Sequence, residues 1–361
     1  MLYYILAIVN VMLFIVSNIR YGKHNLMAIK KGTLTIEKFA LYAMIALYIF
    51  IFTFESVNSN GDMQGYRDAY LSFEYSNSLL SSISDKKDPF YYILNYVFYK
   101  MGFGFYWWHT FIGIFFSFSL FNLLKRYSSN VYVSFIVSLS LGSFGFMLSA
   151  LRQILAISVI MFAFRYIEEK KLVKFVALTL FASLFHSTAI VFLLAYPLYR
   201  IKLKVKTLIV MVVGMVVMIP LARPVIVFLL PRIGAHEMYY EYLNSDTTLS
   251  IAGTIISAFI LLFCVVFLLQ NKKASKYQGL CNLAVVSLFF RLMSNVFFAE
   301  MFRLSLYFSI FDMIMIAEAC SCGDKKDKTL IKIKTLVASL ALVAYYFFSP
   351  NVNITNYCFL F

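Results

Sequence analysis

Apolar runs of about 18 residues recur along the chain, separated by short polar or basic stretches. A helix rising 1.5 Å per residue needs a run of that length to cross a ~30 Å hydrocarbon layer. The pattern predicts helices at about 2–19, 39–55, 106–124, 131–148, 150–167, 172–185, 187–199, 207–223, 249–270, 279–297, 302–320 and 329–348. The fold class expected is therefore all-α, a polytopic integral membrane protein with about twelve transmembrane helices. The run 172–199 is ambiguous, since 28 residues make either two short helices or one tilted helix of ~42 Å. Aromatic segment 88–101 is too short to span and is expected to be re-entrant or interfacial, with Pro89 in its first turn.

Charge decides the ambiguity. Most of the 32 Lys and Arg gather in six loops: Arg20 to Lys38, Lys125/Arg126, Arg165 to Lys174, Arg200 to Lys206, Lys272 to Lys276, and Lys325 to Lys334. The positive-inside tendency puts all six on the cytoplasmic side. That requires the chain to turn back at Phe185-His186 and again near Glu300, and it places both termini outside. The whole chain, 1–361, reads as one transmembrane domain with outer loops at about 56–88 and 224–248.

Composition narrows the class. Of 361 residues, 62% are hydrophobic and 14% charged, a balance no water-soluble domain of this length needs. The runs are too long and too uniform for the alternating strands of an outer-membrane barrel. The net charge of +15 does not point to nucleic acid, because it is spread over membrane-edge loops. Five cysteines form no framework, and the pair Cys320/Cys322 lacks two further zinc ligands. No metal, no cofactor and no phosphate-binding glycine loop is expected. The N-terminal run lacks the basic region and small-residue cleavage site of a secretory signal and reads as a retained helix.

A few polar residues interrupt apolar surroundings at one level. Arg152-Gln153 follows a helix thinned by Gly142, Gly145 and Ser149. A guanidinium there either snorkels to the headgroups or grips a phosphate bidentately. His186, in Leu-Phe-His-Ser-Thr-Ala, is either an interfacial histidine bonded to a neighbouring helix or a proton acceptor or diphosphate ligand; His24, His109 and His236 have weaker contexts. Arg291 and Asp312 can pair across one hairpin. Arg303, at the outer turn with Glu300 and one helical turn from Tyr307, suits a phosphate or a sugar. In the first outer loop, Asp62 (with Tyr66) and Asp88 (with Tyr91) are candidates to take a proton from a sugar hydroxyl or to bind hydroxyls. An Asx-turn at Asn60–Asp62 and an N-cap at Asp88 are the structural alternatives.

Taken in order, these groups resemble the EpsG-like family of bacterial polysaccharide polymerases, related in role to Wzy-type polymerases of O-antigen, capsule and exopolysaccharide repeat units. The resemblance rests on Gly-Asp-x-x-x-Tyr at 61–66, Asp-Pro-Phe-Tyr-Tyr-Ile-Leu-Asn at 88–95, Arg-Gln-x-x-Ala at 152–156, Phe-His-x-Thr-Ala at 185–189 and Arg-x-x-x-Tyr at 303–307. It covers roughly residues 55–310. Asp88 stands where the family more often has Glu, and Phe90 where it has Gly. The resemblance implies a bacterial cytoplasmic-membrane glycosyltransferase that binds undecaprenyl-diphosphate-linked oligosaccharides at the outer face and moves the growing chain onto the incoming unit. Arg152 and Arg303 would hold the leaving diphosphate, and His186 would assist them or act as base. Asp62 and Asp88 would orient the acceptor sugar, with Gln153, Tyr66, Tyr91, Glu300, Tyr307 and Arg291 as binding residues. A lipid-linked oligosaccharide flippase and a chain-length regulator are the implied partners. The rival readings are a flippase or other transporter, another outer-face transferase such as a glycan ligase, and a non-catalytic scaffold. Against transport, the two halves show no corresponding pair of interrupted helices, and the polar residues cluster at one face.

Overall fold

The computed structural model describes residues 36–59, 61–75, 78–79, 87–140, 145, 148–202, 204–229, 251–270, 277–297 and 299–322, with Val337 and Cys358. Among the described residues all regular structure is helical, with no β-strand. The expected helices at 2–19 and 329–348, both chain ends and most of the second outer loop lie outside them. Contacts gather the chain into two compact units, Met1–Leu193 with Gly323–Phe361, and Leu194–Cys322.

The expectation of about twelve transmembrane helices is corrected. Among the described residues, Phe105–Tyr127, Ile251–Leu268 and Gln278–Val296 are long and apolar enough to cross a membrane. The bent pair Ala299–Ser309 and Asp312–Ser321, with 50° between its halves, makes a fourth if it counts as one span. The shortfall has visible causes. The run 172–199 does break at Leu184–His186, but into apolar pieces of 12 residues each, about 18 Å if fully α-helical. Helix α1 spans Ile36–Thr53. The helix at Leu151–Glu168 carries Arg152, Arg165 and Glu168 within 18 residues. The few long apolar helices are those of a membrane-associated protein.

In the first unit α1 is followed by α2 (Gly61–Leu71), α3 (Pro89–Lys100), α4 (Phe105–Tyr127), α5 (Val131–Ser140), α6 (Leu151–Glu168) and α7 (Leu172–Ser183). A 3-10 helix, Ser187–Leu194, then leads into the second unit. Helix α6 is buried almost all round, from Gln153 through Met161, as a helix apolar on every side must be. It packs against α4 and α7, and Phe164 meets Tyr127 edge-on at 5.1 Å. Helix α4 also takes α1, where Phe52 sits so close to Gly113 that a β-carbon there would collide with it. Tyr48 of α1 reaches Ser138 of α5 at 2.6 Å.

Helix ends explain the boundaries. Lys125 and Arg126 close α4, cations at the negative end of the helix dipole. Helix α6 ends in a Schellman turn: the Lys171 amide donates to the Tyr166 carbonyl and that of Lys170 to the Ile167 carbonyl, with Lys170 at φ 57°. Glu169 in that turn is hydrogen-bonded by Lys171 and Arg165, which pull its carboxyl down to about 2, and it also accepts from Arg126 at 3.2 Å.

The second unit holds α8 (Ala195–Leu198), α9 (Val205–Leu229), α10 (Ile251–Gln270), α11 (Gln278–Val296), α12 (Phe302–Ser309) and α13 (Asp312–Ser321). Asn282 of α11 donates to the carbonyls of Leu198 and Ile201, both at 2.8 Å. The Leu198 carbonyl also accepts from the Ile201 amide at 3.2 Å, so Asn282 reinforces the turn that ends α8. Gly279, one turn earlier on α11, lets the Tyr199 carbonyl and ring approach where any β-carbon would stand.

Candidate active site

Asp88 organises the first unit's polar cluster. It occupies the N-cap position of α3, yet its side chain makes no capping bond to that helix. Pro89 in the first turn offers no N–H, and the carboxylate points elsewhere. Its Oδ1 accepts from the Ser187 amide at 2.9 Å, the first residue of the 3-10 helix. Its Oδ2 accepts from Arg152 Nη1 at 2.8 Å and meets His186 Nδ1 at 3.3 Å. The return bond runs from the Phe90 amide to the Leu184 carbonyl, 3.1 Å. Each segment thus satisfies a helix-end group of the other. Apolar contact seals the clasp: Phe90 packs edge-on against Phe181 and Phe185 at 5.2 and 5.0 Å.

The three side chains are layered. Asp88 is 2% exposed, His186 15% and Arg152 30%. The carboxylate lies beneath, with the imidazole and the guanidinium above it. Burial alone would raise the Asp88 carboxyl. The His186 hydrogen bond, the charges of His186 and Arg152 and the Ser187 amide outweigh it and hold the carboxyl below the usual carboxylate range. A depressed acid stabilises the fold fully above its unfolded value, 3.8 here, and that contribution is lost as pH falls through the lower folded value. The protein in detergent is therefore expected to lose thermal stability below about pH 4, and Asp88→Asn to flatten that loss. Melting curves across pH check it; an acid-induced drop equally steep in the variant would contradict it.

Aromatic groups line the other side of Arg152. Its guanidinium lies 5.8 Å from the Tyr66 ring centre, Tyr66 meets Tyr91 at 5.9 Å, and Tyr91 meets Trp108 at 5.8 Å. Tyr91, Asn95 and Trp108 are close enough for their polar groups to act on one another. Even so, the Tyr91 hydroxyl, the Asn95 Oδ1 and the Trp108 indole nitrogen are buried without a hydrogen-bond partner of normal geometry. Trp108 is fully buried and Trp107 is 67% exposed. The sequence pattern suggests both as interfacial anchors, but only Trp107 faces outward.

The other candidates fall in different places. Gln153 is buried on α6 beside Arg152. Asp62 is exposed on the first turn of α2, one turn before Tyr66, where a carboxylate complements the helix dipole. It makes no hydrogen bond or ion pair with a described residue. Glu300, Arg303, Tyr307 and Arg291 belong to the second unit. There Tyr307 is fully buried on α12, and Arg303 is half-buried one turn before it. Arg291 lies 4.8 Å from the centre of the Phe302 ring and against Gly253, with Asp312 within reach of its charge. His109, a weaker candidate, is fully buried in α4 at 3.5 Å from Glu55, itself fully buried.

The sequence reading missed the Ser187 amide, Asn95 and the inward turn of Trp108. A backbone donor carries no side-chain signal. Asn95 stands four residues after Tyr91, a helical spacing that does mark the shared face.

The arrangement offers a guanidinium and an imidazole, both part-exposed and held by one buried carboxylate. That set can bind an anion and accept a proton. Among the described residues no group of three or more His, Cys, Asp or Glu side chains is placed to hold a metal ion. None of the curated proteins and none of the solved structures matches the chain. Residues 38–359 match the EpsG family, a stretch that reaches into both units and includes every candidate residue placed above, and the chain belongs to that family.

Proposed function

We propose that the protein joins undecaprenyl-diphosphate-linked oligosaccharide repeat units, moving the growing chain from its carrier onto the incoming unit. The observation that carries this reading is the Asp88–Arg152–His186 cluster, drawn from positions 64 and 98 residues apart onto one carboxylate in a member of the EpsG family. Glycosyl transfer from a diphosphate asks for what such a cluster offers. The diphosphate leaves readily once fixed positive charge faces it, and Arg152 supplies a planar, permanently charged fork. The acceptor hydroxyl needs a placed base, and His186 stands beside Arg152. Tyr66 is the apolar surface proposed for a sugar ring next to the diphosphate, with Tyr91 behind it, and Asp62 a hydroxyl ligand on the same helix as Tyr66. Arg303, with Glu300, is proposed to bind phosphate or sugar on its own unit, with Tyr307 one turn along α12 inside the core. The site is assigned to the outer face of a bacterial cytoplasmic membrane, in a multi-pass protein supplied by a flippase and governed by a chain-length regulator.

The test is the fate of lipid-linked glycans in a deletion strain complemented with wild type or with His186→Ala, at matched membrane levels. Single repeat units accumulating at the outer face of the variant, without long chains, are the expected result. Repeat units trapped at the cytoplasmic face would instead identify a flippase and overturn the reading.

A further inference from the structure

We propose that Asp88 is a positioning residue that fixes the His186 imidazole with its proton on Nδ1, leaving Nε2 as the base for the acceptor hydroxyl, and that aims Arg152 with the same oxygen. The inference rests on the polymerase reading and assigns a task that the cluster's geometry alone defines.

Both carboxylate oxygens are engaged: Oδ1 by the Ser187 amide, Oδ2 by Arg152 Nη1 and His186 Nδ1. At 2% exposure Asp88 has no surface to offer a sugar, while the two groups above it do. An ionised carboxylate only accepts hydrogen bonds, so the imidazole nitrogen facing it is the protonated one. The opposite nitrogen then carries the lone pair. The backbone makes this geometry rigid, because Asp88 stands at the N-cap of α3 and the Ser187 amide it accepts from begins the 3-10 helix, with the Phe90–Leu184 bond closing the clasp. In the step that follows, the acceptor hydroxyl oxygen forms its bond to the anomeric carbon as its proton passes to His186 Nε2. The carbon–oxygen bond to the diphosphate breaks, and its electron pair leaves with the diphosphate, facing Arg152. The imidazolium so formed is stabilised by the Asp88 carboxylate beneath it.

The experiment measures elongation of a lipid-linked repeat unit by the purified full-length protein. Asp88→Asn is expected to keep KM within about threefold and lower kcat by roughly 10²–10³, the scale of a mis-set general base. The double variant Asp88→Asn/His186→Ala should fall below His186→Ala by much less than Asp88→Asn falls below wild type, since the part of its effect that runs through His186 is already lost and the aim of Arg152 alone remains. Asp88→Glu keeps the charge and serves if Asp88→Asn does not accumulate. A displaced carboxylate is expected to cost about tenfold or more in kcat at unchanged KM. Additive losses in the double variant, or wild-type kcat in Asp88→Glu, would overturn the inference and leave the polymerase reading intact. Absence of elongation by the wild-type protein would overturn both.

Discussion

Arg152→Ala is expected to reduce chain elongation by roughly 10²–10³, the usual cost of removing one preorganised donor from a developing negative charge. The protein should still fold. Asp88 would lose its 2.8 Å partner but keep the Ser187 amide and the His186 imidazole, so the buried carboxylate would not be stranded. Arg152→Lys is expected to recover only part of the activity. An ammonium can replace the charge, but it cannot face Asp88 with one nitrogen and present a planar fork to a diphosphate with the others. Glycan length distributions at matched membrane protein levels check both variants. Wild-type chain lengths in Arg152→Ala would remove Arg152 from the site and leave it as a headgroup anchor.

The second large effect concerns stability in the second unit. Gly279→Ala is expected to destabilise that unit by about 1–3 kcal/mol or more, as overpacking a fixed contact does. The obstruction is backbone: a β-carbon at 279 would overlap the Tyr199 carbonyl as well as its ring. Asn282 holds that chain end against α11 through two hydrogen bonds, so retreat would break them. Gly214→Ala in α9 is the matched control of opposite sign. A β-carbon there meets nothing within 4 Å, and replacing a helical glycine is worth up to about 1 kcal/mol of stabilisation. Thermal melting of both variants in detergent separates them; equal melting temperatures would refute the contact.

Much of the site was legible along the chain, though as separate residues. Arg152 and His186 stand out because each is a costly group in an apolar run, and the break at Leu184–His186 follows from the basic clusters on either side. Asp88 was legible as a helix start, since Pro after Asp is a first-turn pattern. Sequence alone does not tell which helix end a capping carboxylate serves. Here Pro89 withholds an amide from α3, and Ser187, 99 residues away, supplies one. Trp108 misleads for a related reason: Tyr106-Trp107-Trp108 reads as an interfacial aromatic anchor, but on a helix neighbouring side chains point in different directions, and Trp108 faces the core. The helix count was overestimated because hydropathy sums apolar residues without seeing where the backbone breaks. Two 12-residue pieces separated by a turn have the composition of spans without the length.

One measurement reaches the central claim without a cell. The purified protein is placed in liposomes with a single undecaprenyl-diphosphate-linked repeat unit, and the products are separated by length. The account predicts a ladder rising by one repeat per step, with one carrier diphosphate released for every linkage formed. Repeat units that stay single while crossing from one leaflet to the other would contradict it and identify a transporter.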